Sequence, residues 1–269
     1  MLLIYFKCSI SKNGTKKMIF EGGETVKVNS LTYYYKDQVK PVLDKLCIEF
    51  ETGKLNVIIG LNGAGKTTLL DIISGVISTN QFKSPFAEKD IVYQLQGIPL
   101  PATMKGKDVI RVIFNCDSEF PFIERINLFE QSLNSREREL FTKLWDRKIG
   151  HMSVGERRWL LIRSICQLER ELYIFDEPTS GIDPDARRFI LGSIDDLVKK
   201  GKLVVMTTHI LYELEFIDCK LHFLHKGKIL YTGDYISFLN KYNTKNPDVA
   251  FQLFLNENGE AEYEKVMLV

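Results

Sequence analysis

The sequence predicts an α/β fold, with a mainly parallel sheet at its core, an antiparallel β annex and a small helical subdomain. Three observations carry that expectation. Short apolar runs at 55–59, 172–175 and 203–207 alternate with helix-like stretches, as strands buried on both faces do. The first run ends in a glycine-rich loop, beyond which 66–77 continues as a helix. Strand-like segments outside this alternation, at 26–35, 42–50 and 219–226, supply the antiparallel part.

The remaining elements follow in chain order. Residues 2–10 are strand-like, Lys12-Asn13-Gly14-Thr15 is a hairpin signal and 17–20 can pair back, before Glu21-Gly22-Gly23 breaks the pattern. The stretch from 100 to 150 carries helix-like segments, including the charged 135–145, and 160–168 reads as helix, with Ser153 a candidate cap for a helix beginning near Gly155. Asp183 followed by Pro184 is a helix start, an aspartate cap with proline in the first turn, and that helix runs to about Lys199.

Composition narrows the function classes. A chain of 269 residues can bury a substantial core. At 45% hydrophobic, 26% charged and a net charge of +1, it lacks the basic excess that marks nucleic-acid binders, so no nucleic-acid partner is expected. The five cysteines (Cys8, Cys47, Cys116, Cys166, Cys219) are scattered without a paired motif, which argues for free thiols in a reducing compartment. His222 and His225 could share a helical face, but they sit in a strand-like segment and are not expected to bind metal. The apolar start, residues 1–6, stops at Lys7, and no run approaches the ~20 residues of a membrane span. The chain is therefore expected to be soluble unless a partner holds it to a membrane.

The chemistry is concentrated in two places. Gly60-Leu61-Asn62-Gly63-Ala64-Gly65-Lys66-Thr67, set between strand and helix, fits the P-loop pattern. Its glycines let backbone N–H groups converge on phosphate oxygens, and the helix N-terminus adds partial positive charge. Asn62, Gly63, Ala64, Gly65, Lys66, Thr67 and Thr68 are the candidate nucleotide-binding residues. Lys66 would reach the β and γ phosphates, and the Thr67 hydroxyl would take Mg²⁺. The apolar run at 172–175 ends in Asp176-Glu177, whose side chains strand alternation sends in different directions. Asp176 suits the Mg²⁺ shell, and Glu177 suits polarising an attacking water.

From 26 to 254 the sequence resembles the ABC ATPase family. Met152-Ser153-Val154-Gly155-Glu156 is similar to its signature motif, with Arg157-Arg158 following in the usual way, and the run from Asp176 to Asp183 is similar to the Walker B carboxylates leading into the D-loop. Thr207-Thr208-His209 resembles the switch histidine, and Tyr93-Gln94-Leu95-Gln96 the Q-loop, with Gln96 the better-aligned glutamine and Gln94 the reserve. Tyr35 lies where an aromatic stacks on adenine, with Tyr33 and Tyr34 adjoining it as alternatives. Val154 and Glu156 depart from the commonest residues of the signature, and the stretch from Lys66 to Gln96 is shorter than usual.

The resemblance implies an ATPase with ATP and Mg²⁺ as cofactors. Lys66, Gln96, Glu177 and His209 would be catalytic, Thr67, Asp176 and Gln96 metal-linked, and Tyr35, Ser153, Gly155 and Asp183 would join the P-loop in contacting nucleotide. It divides the chain into an N-terminal β extension (1–23), the annex and P-loop part of the core (24–96), a helical subdomain ending in the signature (97–167), the second part of the core (168–240), and a C-terminal helix and tail (241–269), with 248–254 as the helix. It implies partners as well: a second cassette, as a homodimer, and membrane permease subunits received on 97–150. The chain would then lie on the cytoplasmic face of the cell membrane. The compact form is similar to exporters of peptides, antibiotics or lipids. The alternatives are a soluble ABC ATPase of DNA repair or translation, which would bring a coiled-coil insertion or a second cassette, and a nucleotide-sensing regulator, which would not need Lys66, Asp176, Glu177 and His209 together.

Overall fold

Strand alternation determines which neighbour each face of the central sheet receives. A computed structural model describes residues 25–97, 99–117 and 121–259, so the expected N-terminal extension lies outside the described residues. Two strands, β1 (Val26–Tyr33) and β2 (Leu43–Phe50), pair antiparallel as a separate small sheet. Then come β3 (Leu55–Ile59), α1 (Lys66–Ile73) and β4 (Ile91–Gln94). The helical subdomain holds α2 (Gly106–Phe114), α3 (Phe122–Ser132), α4 (Ser135–Trp145) and α5 (Val154–Ile165). The chain returns to the core with β5 (Leu172–Asp176), α6 (Pro184–Lys199), β6 (Leu203–Thr208), β7 (Cys219–His225) and β8 (Lys228–Asp234), and ends in α7 (Tyr235–Lys241) and α8 (Pro247–Glu257).

The main sheet has the order β4-β5-β6-β3-β7-β8, parallel except for the β7–β8 hairpin. Leu55, Val57, Ile59, Tyr173, Phe175, Val204 and Met206 face the helical side and join its core. Their neighbours Ile58, Leu172, Ile174, Leu203 and Val205 face α1 and the small sheet. Both faces are thus apolar, which explains why the central strands read as continuous hydrophobic runs. One polar residue in β3 is accommodated: Asn56 is fully buried and bonds to the backbone of Glu51, Lys54 and Val204.

Several element limits differ from the sequence expectation for local reasons. The first strand ends at Tyr33, ahead of the turn that Gln38 N–H closes on the Tyr35 carbonyl. The helix after the P-loop stops at Ile73 because Gly75 takes a left-handed φ of 81°. The helix read at 160–168 starts at Val154 with Ser153 as its cap, in line with the start expected near Gly155, but ends at Ile165. Two features of the C-terminal part were not foreseen: α7, capped by Asp234, straddles the expected boundary at 240/241, and α8 outruns 248–254 at both ends.

The helical subdomain is pinned to the core by one partly buried carboxylate. Asp117, after α2, accepts from Arg170 Nη1 at 2.6 Å, from Arg125 Nη2 at 2.7 Å and from the Glu169 amide at 3.2 Å. Arg170 lies two residues before β5, and Arg125 lies on α3, so the triad joins three segments. Burial acts to raise the Asp117 carboxyl, but Arg170 and Arg125 outweigh it and hold it below the usual carboxylate range.

Asp117→Ala would strand two largely buried guanidiniums and is expected to cost about 3–5 kcal/mol in urea unfolding. Because the folded carboxyl is depressed, the contribution is fully present above the unfolded value of about 3.9 and is lost as pH falls through the folded value. The gap between variant and wild type should therefore close in acid; a gap independent of pH down to acid unfolding would rule out the ion triad as its source.

Candidate functional site

The site forms where β3, β5 and β6 end side by side. Register places Ile59 opposite Thr208 and Asp176 opposite Thr207, so the P-loop and the two carboxylates leave the sheet at one level. Ligand sites of open parallel sheets lie at these carboxyl ends.

The loop from Gly60 to Gly65 needs its glycines. A Cβ on Gly60 would sit 2.3 Å from the Leu224 carbonyl oxygen. Gly65 takes a φ of 107°, and a Cβ there would meet Leu43 Cδ2 at 2.8 Å and the Val42 carbonyl at 3.0 Å. The loop is thus clamped between β7 and the start of β2, with the Gly227 N–H bonded to the Ala64 carbonyl at 3.1 Å. Asn62 and Gly63 remain exposed at its tip, while Lys66 and Thr68 are buried and Thr67 is exposed. Lys66 Nζ donates to the carbonyls of Gly60 (2.7 Å) and Leu61 (3.3 Å). Burial lowers its affinity for the proton, against the opposing pull of Glu177 and Asp176.

Asp176 occupies the α1 face of β5, as its parity with Leu172 and Ile174 requires. There the Thr67 hydroxyl donates to its Oδ2 at 3.0 Å and the Thr207 hydroxyl to its Oδ1 at 2.6 Å. Thr207 in turn accepts from the Glu177 N–H at 2.9 Å, which supports a left-handed φ of 46° at Glu177. That turn brings three side chains onto the Glu177 carboxylate. Gln96 Nε2 donates to its Oε2 at 2.8 Å, while His209 Nδ1 and Lys66 Nζ lie 3.4 and 3.9 Å from its Oε1.

Most expected site residues therefore converge. Gln96, Lys66, Thr67, Asp176, Glu177 and His209 form one connected cluster, and Gln94, the reserve glutamine, is fully buried inside β4. Of the three tyrosines, Tyr35 reaches the P-loop helix, its hydroxyl 3.1 Å from Thr68 Oγ1 and its ring edge-on to Tyr33. Ser153, Gly155 and Asp183 lie elsewhere. Ser153 caps α5 and Glu156 completes the capping box, with the Ser153 N–H donating to Glu156 Oε2 at 2.7 Å. Gly155 is a point of close approach, since a Cβ there would meet Asp183 Oδ2 at 3.2 Å. Asp183 accepts from the Ala186 N–H and starts α6.

Sequence reasoning missed two contributors. Thr207, noted only as part of the histidine motif, bridges both carboxylates; a polar residue at the same strand end as its acidic neighbour was the available signal. Arg158, noted only as following the signature, is partly buried and feels the charges of Glu177 and Asp176, which oppose the lowering of its proton affinity by burial.

A P-loop lysine, a hydroxyl–carboxylate pair of hard oxygen donors and a separate carboxylate with a histidine beside it define a nucleoside-triphosphate hydrolase site. Comparison with known proteins specifies the class. Residues 43–180 match the family model described as ABC transporter. The chain is 30% identical over 223 residues to Protein McbF of Escherichia coli, covering 81% of this chain and 90% of the relative. It is 30% identical over 220 residues to Nod factor export ATP-binding protein I of Rhizobium meliloti, covering 76% of this chain and 62% of that protein. A solved structure described as the ATP binding subunit of an ABC transporter aligns with a TM-score of 0.67 at 24% identity, covering 84% of this chain and 97% of the other, and shows the same fold. The chain belongs to the ABC transporter family, as an ATP-binding cassette that hydrolyses ATP.

Glu177→Gln keeps the shape of the site and removes its separate carboxylate. It is expected to lower ATP turnover about 10²–10⁴-fold while nucleotide binding persists. Steady-state ATPase assays beside a fluorescent-nucleotide binding titration test this; turnover within about threefold of wild type would take Glu177 out of the chemistry.

Proposed function

We propose that this cassette powers a membrane exporter by closing on ATP against a second copy of itself. The observation that carries the reading is the Ser153 turn. Ser153 is exposed and Val154 is 48% accessible, at a helix start that packs on Asp183 and Ala186 of its own chain. Among the described residues no hydrogen bond or ion pair joins residues 153–155 to the loop at 60–68. A helix N-terminus so presented suits an anion held by another molecule. Two-fold pairing would place each ATP between one chain's P-loop and its partner's signature turn.

Within each site the roles follow from position. Lys66 and the loop amides neutralise the β and γ phosphates, and Tyr35 flanks the adenine. Thr67 and Asp176 would hold Mg²⁺, and their adjacent oxygens fit that ion's preference for hard donors. When bound, the ion would supply charge neutralisation for the phosphates. Gln96 orients the Glu177 carboxylate, which accepts the proton of the attacking water, and His209 stands beside it to contact the γ-phosphate. Positioning and charge neutralisation are what phosphoryl transfer needs most.

For the load, a groove of about 320 Å³ opens beside Gln96, lined by Gly97, Leu100, Ala102, Ile149, Val154 and Arg158. Its mixed apolar and basic lining, next to a residue on the catalytic carboxylate, suits a permease segment whose movement must reach the nucleotide. Among the described residues no helix is long and apolar enough to cross a membrane. The reading takes the permease as a partner. It would hold the cassette at the cytoplasmic membrane face. The load would be a peptide, antibiotic or lipid; a relative named for Nod factor export supports the direction, and one named for phospholipid transport supports a lipid. The latter, the retinal-specific phospholipid-transporting ATPase of Mus musculus, is 25% identical over 79% of this chain and 10% of that protein. Energy-coupling factor transporter proteins match as well, such as that of Clostridium tetani at 25% identity.

Two measurements check this reading. Mixing Lys66→Ala with Ser153→Arg chains should restore ATPase activity to about a quarter of wild type, since half of freely exchanging dimers are mixed and each holds one intact site. Exchange demonstrated without recovery of turnover or of ATP-dependent dimerisation would defeat the shared site. Separately, the cassette should sediment with membranes when co-expressed with its permease and stay in the supernatant without it. Tight binding to protein-free liposomes would contradict attachment through a permease.

A further inference from the structure

The two threonines that end β6 face opposite sides of the sheet. Thr207 turns to Asp176, as described; Thr208 turns to the helical side, with Val204 and Met206. There its hydroxyl accepts from the Ile210 N–H at 3.1 Å and donates to Glu213 Oε1. His209 lies between these contacts, so Glu213 closes the turn on which the histidine is carried.

The second oxygen of Glu213 reaches another part of the site. Arg187 Nε of α6 lies 3.6 Å from Oε2, and the Glu213 side chain has no exposed surface. Arg187 Nη2 also donates to the Ile182 carbonyl at 3.3 Å, one residue before Asp183. Thr179, two residues after Glu177, has its hydroxyl close enough to stabilise the Glu213 charge without completing an aligned hydrogen bond. Glu213 Oε2, Arg187 Nε and Thr179 Oγ1 are all buried, and none has a well-formed hydrogen bond. Burial raises the proton affinity of Glu213, and Thr208, Thr179, Arg187 and His209 act against it. A buried carboxylate costs a great deal unless it is paired, so apolar packing alone does not account for its presence.

We infer that Glu213 is a positioning residue for hydrolysis, tying the His209 turn to the Thr179–Asp183 segment so that both sides of Glu177 hold one geometry. The inference rests on the roles proposed above for Glu177 and His209. One Glu213 oxygen fixes the histidine through Thr208; the other draws on Arg187 and Thr179, which belong to the chain running from Glu177 to the helix packed on the signature turn. Glu213 touches no nucleotide-binding residue of the P-loop, so its loss should alter turnover and leave ATP affinity alone.

The test compares ATPase kinetics of wild type, Glu213→Ala, Glu213→Gln and Thr208→Val, with Glu177→Gln as control and unfolding midpoints measured for each. Glu213→Ala should lower kcat about 10- to 100-fold, in keeping with small misplacements at an active site, with KM for ATP within about twofold. Glu213→Gln keeps an acceptor for Thr208 and should fall between Ala and wild type. Thr208→Val retains the shape of the strand end, so it carries the test where the alanine variant fails to fold, and it should reproduce the loss in kcat. In a His209→Ala background, Glu213→Ala should cost less than about twofold more, because residues acting as a unit are not additive. Two results would overturn the inference: folded Glu213→Ala and Thr208→Val with wild-type kcat, or full additivity with His209→Ala. If Glu177→Gln loses turnover and the Glu213 variants do not, only this inference fails. If Glu177→Gln keeps turnover, the roles beneath it fail as well.

Discussion

The site depends on the parallel register of β6 between β3 and β5. With Ile59 opposite Thr208 and Thr207 opposite Asp176, the P-loop begins within reach of the carboxylates at the next strand end but one. A strand rises about 3.3 Å per residue and turns its side chains over at each step. Slipping β5 by one residue would both shift Asp176 along the sheet and carry it to the helical face, out of reach of Thr67. The apolar packing on both faces opposes such a slip, because it would turn every alternate side chain of the strand out of its own layer. Core packing and catalytic geometry are therefore one constraint.

The same alternation gives consecutive residues separate tasks. Asp176 stays in the strand and points to α1. Glu177 departs from it through a left-handed backbone that costs a non-glycine residue on the order of 1–3 kcal/mol. The Thr207 hydroxyl helps to hold that conformation, since it accepts from the Glu177 N–H while donating to Asp176. A serine would offer the same hydroxyl, but threonine's branched side chain is stiffer at χ1 and suited to a strand, so the hydroxyl is aimed before any ligand arrives.

How much of this could be read from the sequence follows from how local each feature is. The P-loop, the strand ending in Asp176-Glu177 and the capped helix at Asp183-Pro184 are legible because short-range requirements (close approach, two-face burial, a missing N–H) dictate residue types at fixed spacing. Gln96, Tyr35 and His209 were legible only through resemblance, because their partners lie 81, 33 and 32 residues away in sequence. Arg187 with Glu213 was not legible as a pair: each is an ordinary charged residue until the fold buries both. The α1 end at Ile73 was overrun because Val76 and Ile77 extend the apolar pattern beyond Gly75, whose left-handed φ stops the helix. The start of α5 was legible from Ser153 as a cap, and its end at Ile165 was overrun because Leu168 continues the apolar pattern.

The helical subdomain can take part in hydrolysis only if its position is reported to Glu177, and two of its attachments differ in what they can report. The Asp117 triad is a well-formed ion cluster, with contacts of 2.6 and 2.7 Å, and it fixes the subdomain near the start of β5, away from the strand ends. The approach of Gly155 to Asp183, at the start of α6, is van der Waals packing, which allows sliding. A subdomain held firmly at one end and packed at the other is suited to pivot, with most displacement at the signature turn. Under the shared-site reading that turn meets the partner's nucleotide, so the end that moves is the end that senses ATP. Asp183 starts the helix that carries Arg187, and Arg187 leads through Glu213 and Thr208 to the turn bearing His209. A displacement at Gly155 thus has a contiguous path of packed and charged groups to the Glu177 carboxylate, and the distant Asp117 triad gives that displacement its fixed point.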